Sequence, residues 1–207
     1  MAQLAMRYNI APTQSILAVR QRADGREAVL LHWGLIPSWA DAPSIGNRMI
    51  NARAESIHEK PAFRRSFRRQ RCLVPADGYY EWKKVAGGKK QPYLFQLPDG
   101  RPFAFAGLWE HWQSRDQADA IIESCSLITT TPNALAATVH DRMPVILNEA
   151  DYAAWLDPAN EDVDSLRQLL LPLEDDTLTA EPVSTYVNKP TNDDARCVER
   201  VGSGELF

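Results

Sequence analysis

The chain contains no run of about 18 apolar residues, the length a helix needs to cross a bilayer. Its start, "MAQLAMRYNIAPTQ", has neither a basic n-region nor a long apolar h-region. A cytoplasmic protein with no membrane partner is the expectation. Cysteine is scarce as well: Cys72, Cys125 and Cys197 are odd in number, far apart and outside any CxxC spacing. That pattern suggests neither a disulfide framework nor a zinc site, and buried free thiols are the ordinary reading. Internal repeats, linkers and a βαβ rhythm are also missing, which sets aside solenoids and doubly wound sheets.

What remains is ordinary in amount and uneven in placement. The 207 residues, 44% hydrophobic and 24% charged, suit one soluble globular domain large enough to bury a core. The net charge of −4 conceals a segregation: residues 48–101 hold 13 basic and 5 acidic side chains, and residues 102–207 hold 6 and 19. The basic third includes "FRRSFRRQR" (63–71), in which Arg64, Arg65, Arg68, Arg69 and Arg71 accompany Phe63 and Phe67 at helical spacing. Two readings stay open here, a phosphate-binding face and a solvated basic face neutralised by the acidic half.

Strand character is clear in "AVLLHWGLI" (28–36), "CLVPADGYYEW" (72–82), "PYLFQL" (92–97), "PFAFAGLW" (102–109) and "SCSLITTT" (124–131), with turn signals at Gly87-Gly88 and Asp99-Gly100. Helices are expected over 57–69, over 148–157 from an Asn148 cap, and over 163–171, with a short turn near 132–138. Closely spaced strands favour antiparallel pairing. The predicted class is therefore a single α+β domain with a mainly antiparallel, curved, barrel-like sheet and peripheral helices.

Four short stretches hold the chemically interesting residues. "RYNIAPTQ" (7–14) is a turn-forming segment with Asn9 and Pro12, and "MINARAES" (49–56) sets Asn51 and Arg53 on one face of an extended chain. "ADGYYEWKK" (76–84) turns at Asp77-Gly78 and then aligns Tyr79, Glu81 and Lys83 on one strand face; "TVHDRMPVIL" (138–147) places His140, Asp141 and Arg142 before an apolar run. Each has a plain structural alternative. Asn51 can cap a helix beside a surface Arg53, Glu81 can sit on an exposed edge strand, and His140 can be a satisfied structural histidine next to a surface ion pair.

Taken together and in order, these stretches resemble the SRAP family, the SOS-response-associated peptidase domain that covalently captures abasic sites in single-stranded DNA. "HWGLIPSW", "CLVPADGYYEWKK", "QPYLF", "AGLWE", "LITTTPN", "HDRMPVIL" and "PVSTYVNKPTND" extend the resemblance over nearly the whole chain. It implies Asn51, Glu81 and His140 as catalytic residues and Arg53 as a phosphate contact. It further implies Trp39 as a stacking platform for a base, with Ala40 where a second aromatic can follow in the family, Asn9 and Pro12 as lining the same groove, Thr129 as near the site, and Arg142 as a phosphate contact or a clamp on a neighbouring carboxylate. Histidine and a desolvated carboxylate suit the proton transfers of opening and trapping a sugar aldehyde.

The implied partner is single-stranded DNA with an abasic site, bound by a monomer without metal or cofactor. Thiol-dependent self-processing and non-covalent single-strand binding are the alternatives. Family members begin Met-Cys-Gly-Arg, roughly two dozen residues before the "RYN" block, whereas Met1-Ala2-Gln3 stands close before Tyr8-Asn9 here. The expectation is therefore a start lying upstream, with the catalytic Cys and the Arg after it absent from this chain.

Overall fold

The computed structural model describes residues 5–117 and 119–202, so the expectation about Met1-Ala2-Gln3 lies outside the described residues. The chain opens with β1 (Ser15–Arg22) and β2 (Gly25–Trp33), an antiparallel hairpin linked through Ala23-Asp24. The short β3 (Asn51–Arg53) follows a 3-10 turn over Pro43–Arg48, and then comes helix α1 (Arg64–Arg69). Next are β4 (Arg71–Ala76), β5 (Tyr79–Lys84), β6 (Lys90–Gln96), β7 (Phe103–Gln113) and β8 (Ile121–Thr130). Helix α2 (Ala134–Ala137) leads to β9 (Met143–Pro144) and β10 (Ile146–Leu147). Helices α3 (Tyr152–Leu156) and α4 (Val163–Gln168) precede β11 (Thr179–Pro182).

Five strands close on themselves. β4 pairs with β1, β1 with β2, β2 with β8, β8 with β7 and β7 with β4, so the ring has no free edge. Every junction is antiparallel except β2–β8, which runs parallel through His32↔Ser124 and Trp33↔Cys125 alone. Strand alternation then sorts the apolar residues into two cores. Ile16, Leu31, Cys72, Val74, Phe105 and Cys125 fill the interior of the ring. Leu73, Leu108 and Ile128 point the other way, onto Phe67 of α1, Trp155 of α3 and Leu166 of α4. The α+β class and the barrel-like sheet are as the sequence predicts.

A second, three-stranded antiparallel sheet, ordered β11-β6-β5, carries Glu81. The predicted 72–82 strand is therefore two strands in different sheets, divided at Asp77-Gly78. Gly78 allows the change of sheet: a Cβ there would lie 2.8 Å from the Phe95 carbonyl oxygen, closer than any other residue tolerates. The expected 57–69 helix shrinks to α1 because Pro61 interrupts it, leaving residues 54–62 in turns. Asn148 makes no side-chain cap, and a 3-10 turn, Glu149–Asp151, leads into α3 instead. Asn133 and Asp162 do cap α2 and α4 with their side chains.

Candidate active site

Glu81 arrives on the three-stranded sheet and His140 on the turn that precedes β9. Glu81 lies mid-strand in β5, its side chain 26% exposed. Burial raises its carboxyl above the usual glutamate range, although the nearby His140 and the Trp82 amide oppose the shift. His140 ends the turn after α2, its backbone N–H donating to Ala136 O at 2.9 Å. Its Nδ1 accepts from the Arg142 backbone N–H at 3.1 Å, which in the neutral ring assigns the proton to Nε2. That Nε2 faces Glu81 Oε2 at 4.0 Å. The two groups oppose one another across a gap too long for a direct hydrogen bond, so neither locks the other.

The turn that holds His140 is pinned by the next arginine. Arg142 grips Glu55 with both terminal nitrogens, at 2.6 and 2.9 Å, and donates to Thr129 O at 2.6 Å. This is the carboxylate clamp among the two roles open for Arg142, and it holds Glu55 below the usual glutamate range. Sheet register completes the arrangement. Thr129 of β8 lies opposite Arg53 of β3 on one side and Pro144 of β9 on the other. Residues 138–142 lead directly into Met143 and Pro144, which pair with Thr130 and Thr129, and Met143 is only 1% exposed.

Asn51 and Arg53 are both exposed on the face opposite the buried Ala52, as their spacing predicts. Asn51 belongs to a strand paired with β8, not to a helix cap. Among the described residues neither side chain makes a hydrogen bond or ion pair, so both are open to a ligand. Trp39 is 53% exposed, which excludes a place in the core. Its loop is held by Arg65 donating to Ser38 Oγ at 3.3 Å and by Arg115 donating to the Trp39 carbonyl at 3.3 Å. Ala40 is buried beneath it and accepts from the Trp112 indole at 2.7 Å.

Asn9 is tied down by backbone carbonyls from far along the chain. It is 6% exposed, and its Nδ2 donates to the carbonyls of Val187, Asn192 and Lys189 at 3.0, 2.9 and 3.2 Å. Asp193 Oδ1 takes the backbone N–H groups of Tyr8 and Asn9, and Asp193 Oδ2 pairs with Arg7. Asn9 therefore stitches the "RYN" segment to the 187–193 loop, and its amide hydrogens are already engaged. Pro12 is exposed at the second position of the turn closed by Gln14 N–H to Ala11 O, where Thr13 takes a left-handed φ of 72°.

Glu55 and Asp193 are the participants that sequence reasoning missed. The available signal for Glu55 was its position two residues beyond Arg53, continuing the same alternation. Cys72, Cys125 and Cys197 are all buried, as expected. Burial raises the Cys72 thiol well above its usual value and pushes Cys125 up to about 12, so neither is a ready nucleophile. Among the described residues no helix is long and apolar enough to cross a membrane.

The family model described as SOS response associated peptidase (SRAP) matches residues 1–190. The chain belongs to the SRAP family. An SRAP relative named "Abasic site processing protein YoaM", from Bacillus subtilis, is 45% identical over 192 residues, covering 93% of this chain and 84% of its own. "Abasic site processing protein HMCES" of Xenopus tropicalis is 31% identical over 225 residues, covering 94% of this chain and 66% of its own. A crystal structure of a Bacteroides thetaiotaomicron protein superposes with a TM-score of 0.82 at 31% identity, over 91% of this chain and 82% of that one. The SRAP fold is thus shared well beyond the residues of the site.

Proposed function

We propose that the chain acts as one SRAP domain that binds single-stranded DNA as a monomer and processes its abasic sites. The observation that carries this reading is the facing pair of Glu81 and His140, one carboxyl raised by burial and one imidazole with Nε2 directed towards it. Abasic deoxyribose is mainly a closed hemiacetal, so processing needs a proton removed from the anomeric hydroxyl and another delivered to the ring oxygen. A carboxyl whose hold on its proton is strengthened by burial, facing a histidine, supports both transfers. Arg53, exposed two residues from Asn51, takes a backbone phosphate; the exposed Trp39 stacks a flanking base. Asn51 orients the attacking amine. Pro12 and Thr129 flank the groove, Asn9 sets the shape of its wall, and Arg142 fixes the His140 turn. The chemistry needs neither metal nor cofactor.

Covalent capture in this scheme requires an amino-terminal cysteine. Its α-amine adds to the open aldehyde and water leaves to give an imine; its thiol then adds to the imine carbon while the nitrogen takes the proton, closing a thiazolidine. The 207-residue polypeptide beginning Met1-Ala2 has no thiol beside its α-amine. Cys72, Cys125 and Cys197 have their α-nitrogens in peptide bonds and cannot supply the amine, and the burial of their thiols argues against a peptidase built on them.

The test uses two polypeptides, the 207-residue chain and a form extended at its amino terminus so that it begins with Cys. Both should bind an abasic single strand in fluorescence anisotropy, and only the second should give a heat-stable adduct on a denaturing gel. In that second form His140→Ala should slow adduct formation by about 10² to 10⁴-fold, the usual span of general acid-base catalysis. Its binding of an intact-sugar oligonucleotide should barely change. Equal losses of binding and rate would return His140 to a structural role, and no preference for single strand over duplex would reject the groove.

A further inference from the structure

Of the five arginines in residues 63–71, one turns inward. Arg71 is 3% exposed and spends its guanidinium on the carbonyls of Phe67, Arg68, Trp155, Asp157 and Asn160. The other four, Arg64, Arg65, Arg68 and Arg69, share the exposed face of α1, opposite the buried Ser66 and Phe67. They line a shallow depression of about 550 Å³ together with His58, Glu59 and Glu161. The acidic half of the chain scarcely neutralises them. Arg69 pairs with Glu161 at 2.8 Å, Arg65 donates to Ser38, and among the described residues Arg64 and Arg68 have no acidic partner.

The helix pays for this face in local stability. Phe63 offers no side-chain cap, the first turn has no acid, and Arg64 and Arg65 stand there against the helix dipole. Arg64/Arg68 and Arg65/Arg69 are like-charge pairs at i, i+4, each mildly destabilising. Phe67 in the core and Arg68 and Arg69 in the last turn offset part of this, but a short element that breaks several local rules at its start is where a functional constraint is expected. Position supplies the partner. Arg65 touches Ser38, the residue before the exposed Trp39, so the arginine face continues from the proposed base platform.

We propose that the α1 face formed by Arg64, Arg65, Arg68 and Arg69 is a second nucleic-acid subsite, which carries the phosphodiester backbone of the DNA flanking the strand held at Trp39 and Arg53. The inference rests on the proposed DNA-binding function and extends it to a defined surface. Such contacts hold the strand in register without reading sequence.

Arg64→Gln/Arg68→Gln is the test variant. Both positions are exposed and repel one another, so its Tm should equal or exceed that of the parent; a marked fall would indicate a structural role and overturn the proposal. Affinity is measured across a salt series for an intact-sugar single strand of about 20 nucleotides, one of about 5, and a partial duplex with a single-stranded arm. On the long strand or the partial duplex the slope of log K against log salt should fall by about 1.4 to 1.8, for two lost phosphate contacts. The shorter strand should show no change. A drop on the long strand assigns the face to single-stranded DNA, and a drop confined to the partial duplex assigns it to the duplex flank. Unchanged slopes on both overturn the inference. If the variant lowers the slope but the parent does not prefer single strands, the subsite stands and the proposed function falls. If the parent binds no DNA, both fall.

Discussion

Glu81 is held at a cost. Burial raises its carboxyl, so the folded chain binds that proton more tightly than the unfolded chain does. The associated stabilisation is complete below the ordinary glutamate pKa and is lost as pH rises through the raised folded value. At neutral pH the half-buried carboxylate therefore weighs against folding. Glu81→Gln should melt at a higher temperature than the parent at about pH 7 to 8, with the difference closing towards about pH 4. Equal melting curves at neutral pH would show that the carboxylate is adequately solvated or paired there. A gain in stability coupled to a loss of processing is the pattern of a residue kept for chemistry. At this scale the sequence was informative where a side chain's neighbours are local. The shared face of Asn51 and Arg53 follows from strand alternation. The carbonyls that engage Asn9 lie near residue 190, beyond the reach of any local pattern.

Among the elements, α1 and the stretch after α3 are joined through Arg71. Its guanidinium gathers carbonyls from the end of α1 and from residues 155–160, and burial lowers its pKa to about 10 despite Asp157 and Glu161 nearby. Arg71→Met keeps the length of the stem and removes every donor, leaving buried carbonyls unmatched. Loss of about 3 kcal/mol is expected, or on the order of 10 °C in Tm for a chain of this size. Calorimetry showing a change below about 2 °C would mean that water replaces the guanidinium. Arg71→Lys should recover only part, having three donors to offer. The five strands read from apolar and aromatic runs all exist, yet β1 escaped notice. Its inward positions are Ile16, Ala18 and Arg20, and the arginine spoils the alternation. Arg20 is tolerated there because Glu27 and Glu123 bind it at 2.7 Å and the Trp109 ring lies 4.4 Å away. The division of 72–82 between two sheets was equally hidden, since Gly78 reveals its purpose only against the Phe95 carbonyl.

Across the whole molecule, two junctions of the ring hold only two residue pairs each, β1–β4 and β2–β8, and the second is the parallel one. That parallel seam has two residue pairs, joins segments separated by about ninety residues, and is reinforced by the Ile36 amide donating to the buried Ser124 Oγ at 2.8 Å. The β1–β2 and β7–β8 hairpins can form independently, but the seam must wait for a long loop to close. It should therefore be absent from the folding transition state. Ser124→Ala strands a buried N–H at about 1 to 3 kcal/mol. In stopped-flow measurements it should speed unfolding by roughly five- to thirtyfold or more and leave refolding within about twofold. A refolding rate that falls in proportion to stability would place the seam in the nucleus instead. Because β3 hangs on β8 just beyond this seam, a brief parting of the two strands loosens the segment that carries Asn51 and Arg53. The clock that limits the life of the native barrel is then also the one that governs how often its proposed DNA-facing strand comes free.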